Sequence, residues 1–333
     1  MVYNILIKNM GEIMIDEIRK MPKVELHLHL DGSLSIGLAC KLSGLSFKEV
    51  FDKMVASSKE KSLGDYLTKF DFSISLMQTK ENLELVASDL VNRLASQNVI
   101  YAEIRFAPMF HTQNGLTYDE IISSILKGLN SNKRIKTNMI LCLMRGCSPF
   151  DNMKTLDTAY KYLGKGVCAI DLAGDEDKYP FDDYYKYFEL AEKRGIPFTI
   201  HAGEVKEEEI RKALSLNPKR LGHGITSIND NDLCNLIKAK DVLLEVCPTS
   251  NVQTNIVEEY SLHPIKRLYE KEVLLNINTD NSSVSNVTLT EEYIKLYETF
   301  DFNLDDFKKM NISAINHAFL SEREKKQLLR MIN

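Results

Sequence analysis

No run of about 18 apolar residues occurs anywhere in the chain, so no transmembrane helix is expected. No Cys-x-x-Cys pair occurs either; Cys40, Cys142, Cys147, Cys168, Cys234 and Cys247 are scattered. Over 333 residues that spacing speaks against a disulfide framework and for a reducing, cytoplasmic setting. A cationic surplus is missing too: 42 Lys and Arg stand against 47 Asp and Glu, a net charge of -5. Nucleic-acid and anionic-membrane binding need a basic face, and neither is expected. Residues 1–20 are interrupted by Lys8, Glu12, Asp16 and Glu17 and read as an N-terminal extension rather than a secretory leader. What remains is 44% hydrophobic and 27% charged, the balance of a globular chain able to bury a large core.

Short apolar runs punctuate the sequence, each bounded by Gly, Pro, Asn or Asp. They are Val24–Leu30, Val99–Phe106, Met139–Met144, Val167–Leu172, Pro197–His201, Arg220–His223, Val242–Val246 and Val273–Asn278. Runs of this kind are expected of parallel strands buried on both faces. Between them, apolar residues recur at helical spacing over Leu83–Leu94, Tyr118–Leu129 and Asp183–Lys193, and the tail from Asp305 to Met331 holds two more such patterns. Strands alternating with helices predict an α/β fold, a (β/α)8 TIM barrel. The span Leu34–Thr79 is too long for one loop and is expected to carry additional helices over the C-terminal mouth. No repeat or linker divides the chain, so a single domain over residues 1–333 is expected.

Four of the seven histidines sit at or just past predicted strand ends. His27 and His29 alternate within the first strand, which turns both imidazoles to one face. His201 closes the fifth strand and opens His-Ala-Gly-Glu; Asp280 closes the eighth in Asn-Thr-Asp. In a barrel these converge at the C-terminal mouth, and imidazole with carboxylate suits zinc better than calcium or magnesium. Glu204 and His223 lie near enough to handle protons, and the glycines flanking His223 leave room for a ligand. His111 is expected in a surface loop, His263 and His317 as structural residues, and Asp175-Glu176 as a solvated helix start.

These segments together resemble the adenosine deaminase family of the metal-dependent amidohydrolases. His27-Leu28-His29-Leu30-Asp31-Gly32-Ser33 resembles its first metal motif, and Tyr101–Pro108 and Asp171–Glu176 its second- and fourth-strand segments. His201–Glu204, Leu221–Gly224, Glu245–Ser250 and Asn278–Asp280 follow in family order. The resemblance implies one zinc per chain, held by His27, His29, His201 and Asp280. The bridging lysine of two-metal relatives is absent from Cys168-Ala169-Ile170-Asp171. The His-x-Glu…Pro-Cys-x-x-Cys signature of other zinc base deaminases is absent as well.

The implied reaction is hydrolytic deamination of adenosine and 2'-deoxyadenosine to the inosines with release of ammonia, a step of purine salvage. Glu204 would protonate purine N1 while His223 orients and deprotonates the attacking water, with Asp280 assisting. Asp31 would meet the ribose 5'-hydroxyl and repel a 5'-phosphate, and the Gly174 N–H would donate to purine N3. Asn281 stands where many relatives have a second Asp; an amide is always a donor, so it can serve N7 without holding a proton. Tyr66, Leu67 and Phe70 resemble an apolar lid, Met144 a side chain against the purine, and His29 also faces the substrate. The implied partner is a small purine nucleoside, with the chain a monomer or weak homodimer. Sibling deaminases of adenine, N6-methyl-AMP or aminodeoxyfutalosine are the alternatives, followed by a non-catalytic purine-binding barrel.

Overall fold

The structure, a computed structural model, describes residues 2–332, with side chains described from residue 11 onward. Eight strands follow one another: β1 (Lys23–His29), β2 (Val99–Phe106), β3 (Lys136–Met144), β4 (Val167–Ala173), β5 (Thr199–Ala202), β6 (Arg220–His223), β7 (Leu243–Val246) and β8 (Leu275–Ile277). They form two parallel four-stranded sheets in chain order, β1 to β4 and β5 to β8. Two seams close them into a barrel. Between β4 and β5, the Ile170 N–H donates to Pro197 O at 3.0 Å. Between β8 and β1, the Asp280 N–H donates to His27 O at 3.0 Å and the His29 N–H to Asp280 O at 2.7 Å. The fold is the expected (β/α)8 barrel.

Two-sided burial explains the strand composition. Every residue of β2 is buried. Period two sends Ala102, Ile104 and Phe106 outward into the apolar layer beneath the helices. Tyr101, Glu103 and Arg105 therefore point into the barrel, where the filling is ionic. Arg105 donates to Asp171 Oδ2 and Glu245 Oε2, both at 2.8 Å, and Arg220 Nε donates to Glu245 Oε1 at 2.6 Å and also pairs with Glu103. All five side chains are fully buried. Such a network is tolerated only because each charge meets its opposite.

The helices start where caps dictate. Thr79 caps Lys80–Ser96, which begins earlier than its apolar pattern because the first turn is polar. Thr117 and Glu120 form a capping box at the head of Tyr118–Leu129. The helix expected from Asp183 begins at Tyr185, after a 3-10 turn over Phe181–Tyr184. The tail gives Leu304–His317 and Glu322–Ile332. Between β1 and β2 the chain makes four short helices, Ile36–Ser43, Phe47–Met54, Leu63–Leu67 and Phe70–Leu76, the last two reaching over the mouth. The N-terminal extension is a helix, Val2–Lys20, whose Ile18 is buried in the main core. No helix among the described residues is long and apolar enough to cross a membrane.

Candidate active site

Strand ends bring four donor side chains to one point. His27 and His29 project from β1, His201 from β5, and Asp280 from just past β8 with a left-handed backbone, φ 61°. One donor atom from each lies within 4.8 Å of all the others. His27 Nε2 stands 3.3 Å and His29 Nε2 3.4 Å from Asp280 Oδ1, and His29 Nε2 is 3.3 Å from His201 Nε2.

The outer nitrogens decide what the inner ones can do. His27 Nδ1 meets Glu245 Oε2 at 2.9 Å and His201 Nδ1 meets Asp171 Oδ2 at 2.8 Å. The Glu245 carboxylate accepts from His27 Nδ1 and the Asp171 charge favours a proton on the His201 Nδ1 beside it, so both Nε2 atoms turn lone pairs inward. His27 Nε2 is buried without a hydrogen-bond partner. Burial lowers the pKa of His29 and His201, keeping both rings neutral. Lone pairs aimed at one another are costly unless a cation sits among them, so the donor set fits a metal ion. Arg105 holds both orienting carboxylates. Burial alone would raise the Glu245 carboxyl, yet Arg105 and Arg220 keep it well below the usual range.

Glu204 and His223 stand beside this centre. Glu204 follows Gly203, whose φ of 77° turns the chain sharply after β5. Its carboxyl accepts from Thr254 Oγ1 at 3.3 Å, and burial, then the charges of Asp280 and Glu176, push its pKa well above the usual value. Its surroundings favour the protonated form of the carboxyl. His223, at φ 60°, brings Nε2 to 3.7 Å from Glu204 Oε2. The space left by the adjoining glycines is not for a ligand. A Cβ on Gly222 would lie 3.0 Å from His27 Cε1, and one on Gly224 would lie 2.6 Å from Leu244 Cδ2.

Above these groups opens a cavity of about 500 Å3, the size of a small-ligand site. Asp31, Tyr66, Leu67, Phe70, Met144, Gly174 and Asn281 line it together with His29, His201, Glu204, His223 and Asp280. His27 lies beneath. Asp31 Oδ1 and Asn281 Oδ1 are buried without partners, and burial pushes the Asp31 carboxyl up to about 7. Tyr66 bonds Ser285 Oγ at 2.8 Å and packs edge-on to Phe70.

The adenosine deaminase family model matches residues 22–333. The chain belongs to the adenosine deaminase family. A Clostridium perfringens protein named adenosine deaminase is 39% identical over 321 residues, covering 92% of this chain and 97% of its own. Among solved structures, the Arabidopsis thaliana N6-methyl-AMP deaminase superposes with a TM-score of 0.84 at 24% identity, covering 96% and 97% of the two chains. A Burkholderia ambifaria amidohydrolase solved with bound Zn superposes at 0.85, with 20% identity and coverage of 94% and 90%. At such identities the superpositions speak for the fold.

Several residues that shape this adenosine deaminase family site had no role assigned from sequence. Arg105, Asp171 and Glu245 sit within motif segments but read there as ordinary strand residues. Their signal was the alternation of charge with apolar residues in strands otherwise too buried to hold it. Glu176 is buried, not solvated: its Oε1 accepts from the N–H groups of Gly203, Val205 and Lys206 at 3.2, 3.2 and 2.8 Å. It thereby holds the turn that carries Glu204. His111 is also buried, in the 3-10 turn Pro108–His111, with Nδ1 3.1 Å from Met77 O. The expected surface loop is corrected because the helices between β1 and β2 cover it.

Proposed function

We propose that this deaminase converts adenosine and 2'-deoxyadenosine to inosine and 2'-deoxyinosine, releasing ammonia. The observation that carries the reading is the convergence of three imidazoles and a carboxylate beside the buried Glu204 in a nucleoside-sized cavity. His27, His29, His201 and Asp280 would hold one zinc, the ion that nitrogen and oxygen donors of this kind favour. Zinc, when bound, makes water nucleophilic near neutral pH. The Burkholderia relative with bound Zn supports that choice of metal.

The remaining work falls to the chain's own groups. Glu204 gives its proton to purine N1, so that charge from attack at C6 settles on the ring. His223 orients the attacking water, and Asp280 assists. Asp31, with its unpartnered oxygen, accepts the ribose 5'-hydroxyl. The Gly174 N–H reaches purine N3, and the Asn281 amide donates to N7 without needing a held proton. Tyr66, Leu67 and Phe70 exclude water from the ribose side, and Met144 packs against the base.

Charge selects nucleoside over nucleotide. Asp71, Asp175 and Asp280 put carboxylates on the cavity wall, while its Arg145 is bound by Glu209, Tyr179 O and His201 O. No free cation among the described lining residues is left to meet a phosphate. The partner is thus a small molecule, not a nucleic acid or membrane, and six unpaired cysteines suit the cytosol. We place the chain there as a monomer or weak homodimer.

Product analysis tests this with adenosine, deoxyadenosine, adenine, AMP and N6-methyl-AMP, with and without a zinc chelator. Chelator-sensitive turnover of the two nucleosides alone is expected. Turnover of AMP or adenine would overturn the role of Asp31.

A further inference from the structure

The ring of His223 is held differently from those of His27 and His201. Its Nδ1 faces not a carboxylate but the side-chain amide nitrogen of Asn251, at 3.1 Å. The amide oxygen of Asn251 lies 3.2 Å from His263 Nε2, and His263 Nδ1 receives the Ile265 backbone N–H at 3.1 Å. His223, Asn251 and His263 are all buried, so water does not compete for these bonds.

A backbone N–H can only donate, and that fixes the polarity of the whole series. Pro264 has no N–H, so Ile265 offers the first free donor at the head of helix Ile265–Glu270. His263 Nδ1 must accept it. Burial pushes the His263 pKa down to about 3, so the ring is neutral and its single proton sits on Nε2. That proton needs the oxygen of Asn251, which turns the amide NH2 toward His223. His223 Nδ1 therefore accepts, and its one proton is on Nε2.

We propose that Asn251 and His263 act as positioning residues that set the tautomer of His223, so that it turns an N–H rather than a lone pair toward the reacting water. The inference rests on the functional reading above and sharpens it. His223 orients the water by donating to its oxygen, and Nε2 has no lone pair with which to take the water's proton. His27 and His201, held by Glu245 and Asp171, show the opposite polarity in the same barrel: proton outside, lone pair inside.

Two-bond 1H–15N spectra of the zinc-loaded protein with 15N-labelled histidine read the tautomer directly, with the His223 signals identified by their loss in His223→Gln. Nε2 protonation is expected in the unaltered protein. Asn251→Asp puts an acceptor against His223 Nδ1 and is expected to move the proton there. Its kcat for adenosine should fall about a hundredfold or more, where a wrong imidazole tautomer costs about 10^4-fold in the serine protease triad, with KM within about twofold. His263→Glu, which reverses the Asn251 amide, should move the proton in the same way if Asn251→Asp fails to fold. His263→Gln repeats the native polarity and should keep the proton on Nε2. A His223 proton on Nδ1 in the unaltered protein, or one that neither Asn251→Asp nor His263→Glu moves, overturns the proposal. Nε2 protonation in a protein that deaminates nothing upholds the relay and overturns the functional reading instead.

Discussion

Glu204 Oε2 and His223 Nε2 stand 3.7 Å apart, beyond hydrogen-bond reach of each other and both open to the same cavity. Two polar groups left unsatisfied by one another, in a buried place, are poised to be satisfied by a third party. A purine edge with its attacking water is such a party.

Replacing Glu204 by Gln keeps the shape and removes the acid. The expected loss in kcat is about 10^2- to 10^4-fold, with a melting temperature no lower than that of the unaltered protein, since a buried acid is lost and not a packing group. Steady-state assays beside thermal unfolding measure both. A kcat loss under about tenfold would remove Glu204 from proton transfer.

Burial and the charges of Asp280 and Glu176 raise the Glu204 pKa, and in the proposed reaction its protonated form is the active one. The acid is therefore fully available below the ordinary carboxylate range and still available above it. It is lost only as pH climbs through the raised value. Activity should persist above the ordinary carboxylate range and fall as pH rises further. Glu176→Gln removes one of the raising charges and should move that alkaline limb to lower pH, read from kcat/KM across about pH 5 to 10. A limb that stays in place would separate Glu176 from Glu204 electrostatically.

Arg105→Met would leave Asp171 and Glu245 each short of a buried partner. Urea unfolding should show a loss of about 3–5 kcal/mol. Because those carboxylates orient His201 and His27, zinc affinity by chelator competition should fall about 10- to 100-fold. Unchanged zinc affinity would mean the two histidines keep their orientation without the arginine.

A methyl group on Gly32 would sit 2.1 Å from Asn281 Oδ1. Gly32→Ala must displace Asn281, and the expected result is a raised KM for adenosine with zinc content unchanged. Equal KM values would show that Asn281 does not touch the substrate.

The barrel and the metal donors were legible because both are written locally. Apolar runs between turn residues mark strands, and His27 with His29 shows period two within five residues of chain. Other features depend on partners far away in sequence. Arg105 stands in a strand expected to be buried, with no counter-charge in view until Asp171 and Glu245 arrive from β4 and β7. Asn251 and His263 carry no periodic signal, and only the fold brings them against His223. Glu176 was read as solvated because an acidic pair in a turn ordinarily is; its three N–H donors come from the turn after β5.

The last seam of the barrel and the last donor of the candidate metal site are the same residue. Asp280 bonds through its backbone to His27 and His29 and contributes its carboxylate between their rings. The first two histidines lie on β1, and the fourth donor joins them only with the segment that follows β8. The donor set is complete only once β8 has joined β1, so uptake of a metal ion by a refolding sample is a clock for the moment at which the ring closes.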